Sequence, residues 1–350
     1  MDAFFQTIHE LFNNFMKDSS NHFRSLKPQI EVKPWIQRHL SDSSYIHPLV
    51  EANIINTINL AVTYDWVFEG VQINLEILYE KNDEKKTKYL IFIINLLIHI
   101  LNRHSRSPPI QRIKIQLIHC DLKKVKPKLN NMTLTSENVN SGVTINGHNI
   151  IVYRTEEMTK VLIHEMVHLY NNSQPKIYHT QENLINSYFA LDTTRNSVVM
   201  NESFTDAYAC LLNIALYSIF NKRPFKLVFE KEREFIMLQS LNVLMYNNYT
   251  LASDDTIGRL TSSKNVEETH CISYYVLKAI VFNKIGSFFR YMKKHDGILR
   301  DPFEYETLIM SGITNYVRKL KNRYVMSFKP FNSLKMSSLE CYDSISALIR

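Results

Sequence analysis

The stretch that decides the reading is Val161-Leu162-Ile163-His164-Glu165-Met166-Val167-His168-Leu169-Tyr170. Two histidines four residues apart fall one turn apart on the same side of an α-helix, so both imidazoles can reach one metal ion. Glu165 follows the first of them and projects toward the open side of such a metal, where it can take a proton from bound water. Zinc suits this set, because its catalytic sites use three imidazole or carboxylate ligands and a water. The flanking positions are uncharged and no proline interrupts them. Thr155-Glu156-Glu157 predicts an N-cap and an acidic first turn for the helix.

The third ligand must lie elsewhere. The metzincin arrangement HExxHxxGxxH needs glycine at 171 and histidine at 174, and the chain has Asn171 and Gln174. Downstream, Met200-Asn201-Glu202-Ser203-Phe204-Thr205-Asp206 begins a long run without proline or glycine. Glu202 and Asp206 are also four apart and share a helical face. Glu202 can complete the metal shell, while Asp206 can accept the spare N–H of a ligand histidine. His179 and Glu182 are rival third ligands.

HEMVH followed by NESFTD resembles the gluzincin zinc metallopeptidases, the thermolysin-like group with a glutamate ligand on a second helix. The resemblance spans about residues 139–280, and the interval from His168 to Glu202 is longer than in thermolysin. It implies one Zn2+ per chain held by His164, His168 and Glu202, with Glu165 as general base in peptide-bond hydrolysis. Thr269-His270-Cys271-Ile272-Ser273-Tyr274-Tyr275-Val276-Leu277-Lys278-Ala279 is similar to the thermolysin segment whose histidine stabilises the transition state. That similarity implies His270 as the oxyanion donor, with Tyr274 and Tyr275 as alternatives. An ordinary polar helix start is the other reading of His270.

At 350 residues, 45% of them hydrophobic, the chain is long enough for a large core. Seven glycines and ten prolines favour helices over a sandwich of many tight turns. Cys120, Cys210, Cys271 and Cys341 are scattered without a CxxC pair, and no basic segment followed by an apolar run opens the chain. Free thiols in a reducing, intracellular compartment are therefore expected. The net charge of +7 and the pI near 9.0 permit nucleic acid, acidic membranes or acidic substrates without selecting one. No nucleic-acid motif and no transmembrane segment stand out, so the expected partner is a peptide or protein substrate.

Along the chain, residues 4–16 have apolar side chains at helical spacing, read as core packing in preference to a membrane or partner helix. The stretch 20–68 reads as mixed and mainly helical. Residues 71–77 and 113–117 alternate as strands, and 89–101 reads as a buried helix in which His99 is a core histidine. Val143-Thr144-Ile145, Asn146-Gly147 and Ile150–Tyr153 predict a hairpin feeding the HEMVH helix. The resemblance implies that its first strand is a sheet edge pairing with substrate, and Ser141, Gly142, Val143 and Thr144 are the residues expected there. A plain structural hairpin is the rival reading. Helices are expected near 180–191, 199–221, 226–246, 268–295 and 303–323, and the tail after Pro330 is polar.

The expected fold is α+β and mainly helical, with a small mixed sheet whose edge hairpin lies beside the HExxH helix. Residues 1–68 form an N-terminal helical region, 69–172 a sheet-containing lobe, and 173–350 a helical lobe carrying the third ligand. The activity expected is that of a zinc metallopeptidase. The alternative is a catalytically inactive binding or scaffold protein that keeps the metallopeptidase fold and uses its basic surface.

Overall fold

The structure is a computed structural model that describes residues 1–18, 46–80, 83–104, 110–127, 133–145, 147–171, 182–189, 191, 198–251, 257–259, 269–323 and 329–339. It is an α+β protein, mainly helical, with one small mixed sheet. Helix α1 (Asp2–Asp18) opens the chain and α2 (Pro48–Thr57) precedes strand β1 (Leu60–Phe68). Strand β2 (Val71–Tyr79), helix α3 (Glu84–His104) and strand β3 (Arg112–Ile118) follow. After the short α4 (Ser136–Val139) come β4 (Gly142–Ile145) and β5 (Asn149–Val152), and then the HExxH helix α5 (Met158–Asn171).

The remainder is nearly all helix: α6 (Glu182–Tyr188), α7 (Met200–Phe220) and α8 (Phe225–Tyr246), with a small hairpin of β6 (Tyr249–Leu251) and β7 (Ile257–Arg259) after them. The next helix, α9, is π-helical over Ile272–Leu277 and α-helical over Lys278–Asn283. Helices α10 (Ile285–Lys294) and α11 (Pro302–Arg323) complete the set.

The five strands run in the order β1-β2-β3-β5-β4, with the β2–β3 and β3–β5 pairs parallel and the two outer pairs antiparallel. Helix α3 makes the crossover from β2 to β3, as a parallel pair requires. Period-two alternation sends Ile73, Leu75 and Ile77 of β2, with Ile113, Ile115 and Leu117 of β3, into the main core with α1, α3, α5 and α7. Leu78, Ile118, Ile151 and Tyr153 face the other way and pack on α2. Strand β4 is left at one edge of the sheet, against α5.

Strand β1 corrects the reading of 20–68 as mainly helical. Residues 60–68 pair with β2 in register along nine residues, joined by Glu69-Gly70. Both turn residues have positive φ (47° and 80°), the geometry of a tight hairpin turn. A glutamate in the left-handed region is uncommon. Its carboxylate is anchored by Arg103 at 2.6 Å and by the buried His99 at 2.7 Å. His99 is thus a core histidine, as expected. Residues 20–45 of that same stretch lie outside the described residues.

Among the described residues, one helix, Met200–Phe220, is long and apolar enough by length and composition to cross a membrane. It lies instead in the protein interior, with 89% of its apolar window buried. Helix α1 likewise packs inward: Phe15 meets Phe68, Phe92 and His99 edge-on, and Phe12 meets Phe220. Truncating Phe15, which is 2% exposed, should therefore cost about 3–5 kcal/mol, the usual penalty for a buried Phe→Ala cavity. Urea denaturation of Phe15→Ala checks this, and a loss below about 1 kcal/mol would mean that α1 is not docked.

Candidate metal centre

Helix α5 carries His164 and His168 one turn apart, and α7, packed along it, carries Glu202 in its first turn. Ser273 of the π-helical segment fixes the start of α7 by accepting a hydrogen bond from Val199 N at 3.0 Å. The outcome is a tight triangle of donor atoms. His168 Nε2 lies 3.0 Å from His164 Nε2 and 3.0 Å from Glu202 Oε2, and His164 Nε2 lies 3.4 Å from that same oxygen. Ligand atoms on a tetrahedral ion with bonds of ~2.0–2.1 Å stand ~3.3–3.4 Å apart. The triangle fits such an ion. Among the described residues no other group of three histidine, cysteine or carboxylate side chains converges in this way.

Asp206 lies one turn beyond Glu202 and receives His164 Nδ1–H at 3.0 Å. That bond fixes the tautomer and leaves Nε2 directed at the triangle. The same carboxylate pairs with two buried ammonium groups, Lys160 through Oδ1 and Lys278 through Oδ2, the latter at 2.6 Å. Burial alone would push the Asp206 carboxyl up, but Lys160 and Lys278 hold it well below the usual range. Glu202 behaves alike: burial opposes its charge, and His168 and His164 override that to hold it low. His164 is opposed by burial yet is pushed up to about 9 by Asp206 and Glu202.

Glu165 is not part of the triangle. Thr144 Oγ1 of β4 donates to its Oε2 at 2.7 Å and lies 3.1 Å from its backbone carbonyl oxygen. Gly142, two residues earlier on the same face of β4, lets the strand approach: a Cβ there would come within 2.7 Å of Val161 Cγ1 and 2.9 Å of Glu165 Oε1. Gly142 and Thr144, expected only as a pairing edge, are therefore also the residues that seat Glu165. Val143 points the other way, toward the small core with α2.

The three candidate donors separate. Tyr274 stacks edge-on against His164, with centroids 5.9 Å apart, and lines a narrow recess together with Glu165. Its phenol is pushed well above its ordinary range by burial and by the charges of Glu202 and Glu165, and it hydrogen-bonds Glu202, so it stays protonated beside the triangle. The Tyr275 hydroxyl is directed elsewhere, donating to the carbonyl of Leu334 at 2.5 Å. His270, at φ 54°, precedes the π-helical segment and is not among the residues lining the recess. The π-helical winding rotates α9 away from the α-helical phase assumed in the sequence reading.

Two further expectations changed or fall outside the description. Thr155-Glu156-Glu157 form a turn before the first residue of α5, with Glu157 at φ 59°, and they do not form its acidic first turn. Their carboxylates serve other chains of contacts: Glu156 accepts Lys124 N at 2.7 Å, and Glu157 accepts Ser337 N at 2.6 Å. His179 lies outside the described residues. Glu182 lies in α6, and its side chain is likewise outside the description. Cys120, Cys210 and Cys271 are buried as thiols. Cys341 lies outside the described residues.

No protein-family model, curated protein or solved structure matches this chain.

The shared carboxylate gives a pH test. Asp206 binds its proton less readily when folded than when unfolded, where an aspartate titrates near ~3.9. Its contribution is complete above about pH 4–5 and is lost as pH falls through the depressed folded value. Asp206→Asn should cost about 3–5 kcal/mol at pH 7, since it strands buried lysines, and should flatten the acid limb of stability against pH. Equal urea midpoints for the variant and the parent protein at pH 7 would contradict the pairing.

Proposed function

We propose that this chain is a zinc-dependent peptide hydrolase of the gluzincin kind, with zinc held by His164, His168 and Glu202. The observation that carries this reading is the triangle of donor atoms at 3.0–3.4 Å beside a buried carboxylate, Glu165, that is not a member of it. Two nitrogens and an oxygen at such spacing, with His164 oriented from behind by Asp206, are what a catalytic zinc site requires of its protein.

When bound, zinc would polarise the scissile carbonyl and lower the pKa of a water from 15.7 toward about 7. The remaining work falls to the chain. Glu165 is 5% exposed and its Oε2 is tied to Thr144, so the carboxylate is held at a fixed angle for proton transfer. It takes the proton of the attacking water and returns it to the leaving amine. The Tyr274 phenol beside His164 supplies the hydrogen bond to the oxygen that gains charge, a role worth about 10²–10³ in rate. Strand β4, at the sheet edge, offers backbone pairing to an extended peptide.

Glu165→Gln should lower peptide hydrolysis by about 10²–10⁴ while metal analysis still finds one zinc per chain. Undiminished turnover in the zinc-loaded variant would remove Glu165 as the base. Zinc bound without turnover in the parent protein would instead assign the scaffold role. Metal uptake should also be coupled to protons. His164 carries a proton below about 9 in the metal-free protein, and a metal needs its lone pair. Calorimetry at pH 7 in two buffers of different ionisation enthalpy should then find about one proton released per zinc, with affinity rising toward pH 9. No buffer dependence would contradict the assignment of His164.

A further inference from the structure

Residues 329–339 form no element beyond one bridge, Ser333 to Val125. Their backbone is nevertheless gripped along its length. Leu334 N donates to Lys124 O at 2.8 Å, and Lys126 N to Asn332 O at 2.9 Å. Tyr275 and Lys278 of α9 donate to the carbonyls of Leu334 and Met336, at 2.5 and 3.0 Å. Ser337 N donates to Glu157 at the foot of α5, and Ser338 N to Glu232 of α8. The segment is a strap running from the loop after β3 to the helices that face the candidate centre.

That strap forms part of the wall of the recess beside Glu165. Met336 lines it together with Lys124, Asn140, Ser141, Lys160 and Tyr274. Asn140 and Ser141 lead directly into β4, so a peptide paired along the outer edge of β4 meets the strap at the Gly142 end. Met336 of the strap walls the recess beside those residues. The polar groups around this end are rich in donors. Ser141 is 3% exposed and its hydroxyl has no hydrogen-bond partner. Lys124 is fully buried and ion-paired with Glu157 at 3.2 Å, while Lys160 lies on Asp206. An ammonium contributes three donors. An apolar or cationic end group would leave the Ser141 hydroxyl unsatisfied, whereas a carboxylate answers it and lies beside two ammonium groups.

We infer that the recess at the Gly142 end is a pocket for the C-terminal carboxylate of a peptide laid along β4, which makes the protein a carboxy-terminal exopeptidase. The inference rests on the metallopeptidase reading above and adds to it the class of substrate. In the reaction, the amide C–N bond near the peptide's end breaks. The water's hydroxyl joins the acyl carbon as a new carboxylate, and its proton passes through Glu165 to the released amine.

Hexapeptide pools of mixed sequence test it, prepared as free acids, as C-terminal amides, and as amides ending in aspartate. The first readout is binding: each pool is equilibrated with immobilised, zinc-loaded Glu165→Gln protein, and the retained peptides are counted by mass spectrometry. Free acids should be retained at least about tenfold over both amide pools, as expected for charge-assisted hydrogen bonds. Adding Ser141→Ala, which deletes a hydroxyl that no native bond uses, should shrink the acid-over-amide ratio several-fold. The second readout is cleavage by the zinc-loaded parent protein, which should trim free acids from the C-terminus and leave amides nearly intact. Equal retention of acids and amides, or internal cleavage of both, overturns the pocket. Recovery of binding by the aspartate amides overturns the terminal assignment in favour of an acidic side chain. Selective retention of acids with no cleavage anywhere keeps the pocket and removes the hydrolase reading, so the two fail separately.

Discussion

One carboxylate ties this structure together. Asp206 is fully buried and answers three groups at once: the Nδ1–H of His164 and the ammonium groups of Lys160 and Lys278. Two of these come from α5 and one from α9, while Asp206 itself belongs to α7. The ion cluster therefore sets how three helices meet, and with them the orientation of a candidate metal ligand. Buried charges are costly to desolvate and hold together only when paired and hydrogen-bonded. The surrounding core is large and apolar, and Lys278 also donates to the Met336 carbonyl, so the strap is recruited into the same arrangement.

Such a cluster is an expensive way to fix a helix interface, since well-packed apolar side chains of similar size often do as well or better. Its placement behind His164 gives it a purpose beyond stability. A carboxylate pinned from two sides cannot swing away from the imidazole, so Nε2 stays aimed at His168 and Glu202. Glu165 is held by an independent device, the hydroxyl of Thr144 and the missing Cβ of Gly142. The donor triangle and the candidate base are thus seated by different parts of the fold, α7 with α9 for one and the sheet edge for the other.

Much of this was legible in the sequence because it is written at short range. The i, i+4 spacings of His164 with His168 and of Glu202 with Asp206 fix faces of helices. The hydrophobic periods of β2, β3 and α3, and the hairpin of β4 with β5, are equally local. What was missed depends on distant partners. Strand β1 hides because its turn uses Glu69, whose left-handed backbone is anchored by His99 and Arg103, 30 and 34 residues on. Glu156 and Glu157 look like a helix start and instead serve Lys124 and Ser337. Tyr275 looked equivalent to Tyr274 until the π-helical winding and the Leu334 carbonyl set them apart. The strap reads as a plain polar tail, since its order comes from side chains elsewhere. Its backbone is held by Lys124, Glu157, Glu232, Tyr275 and Lys278, far apart along the chain, and no periodicity records that.

The central claim is that one divalent ion sits where three side chains from two helices converge. Anomalous diffraction from crystals of the zinc-loaded protein, recorded on either side of the zinc absorption edge, tests it most directly. The account predicts a single strong peak in contact with His164 Nε2, His168 Nε2 and Glu202 Oε2, with Asp206 still on His164 Nδ1. A peak coordinated by other side chains, or none at a site that solution analysis finds loaded, would contradict it.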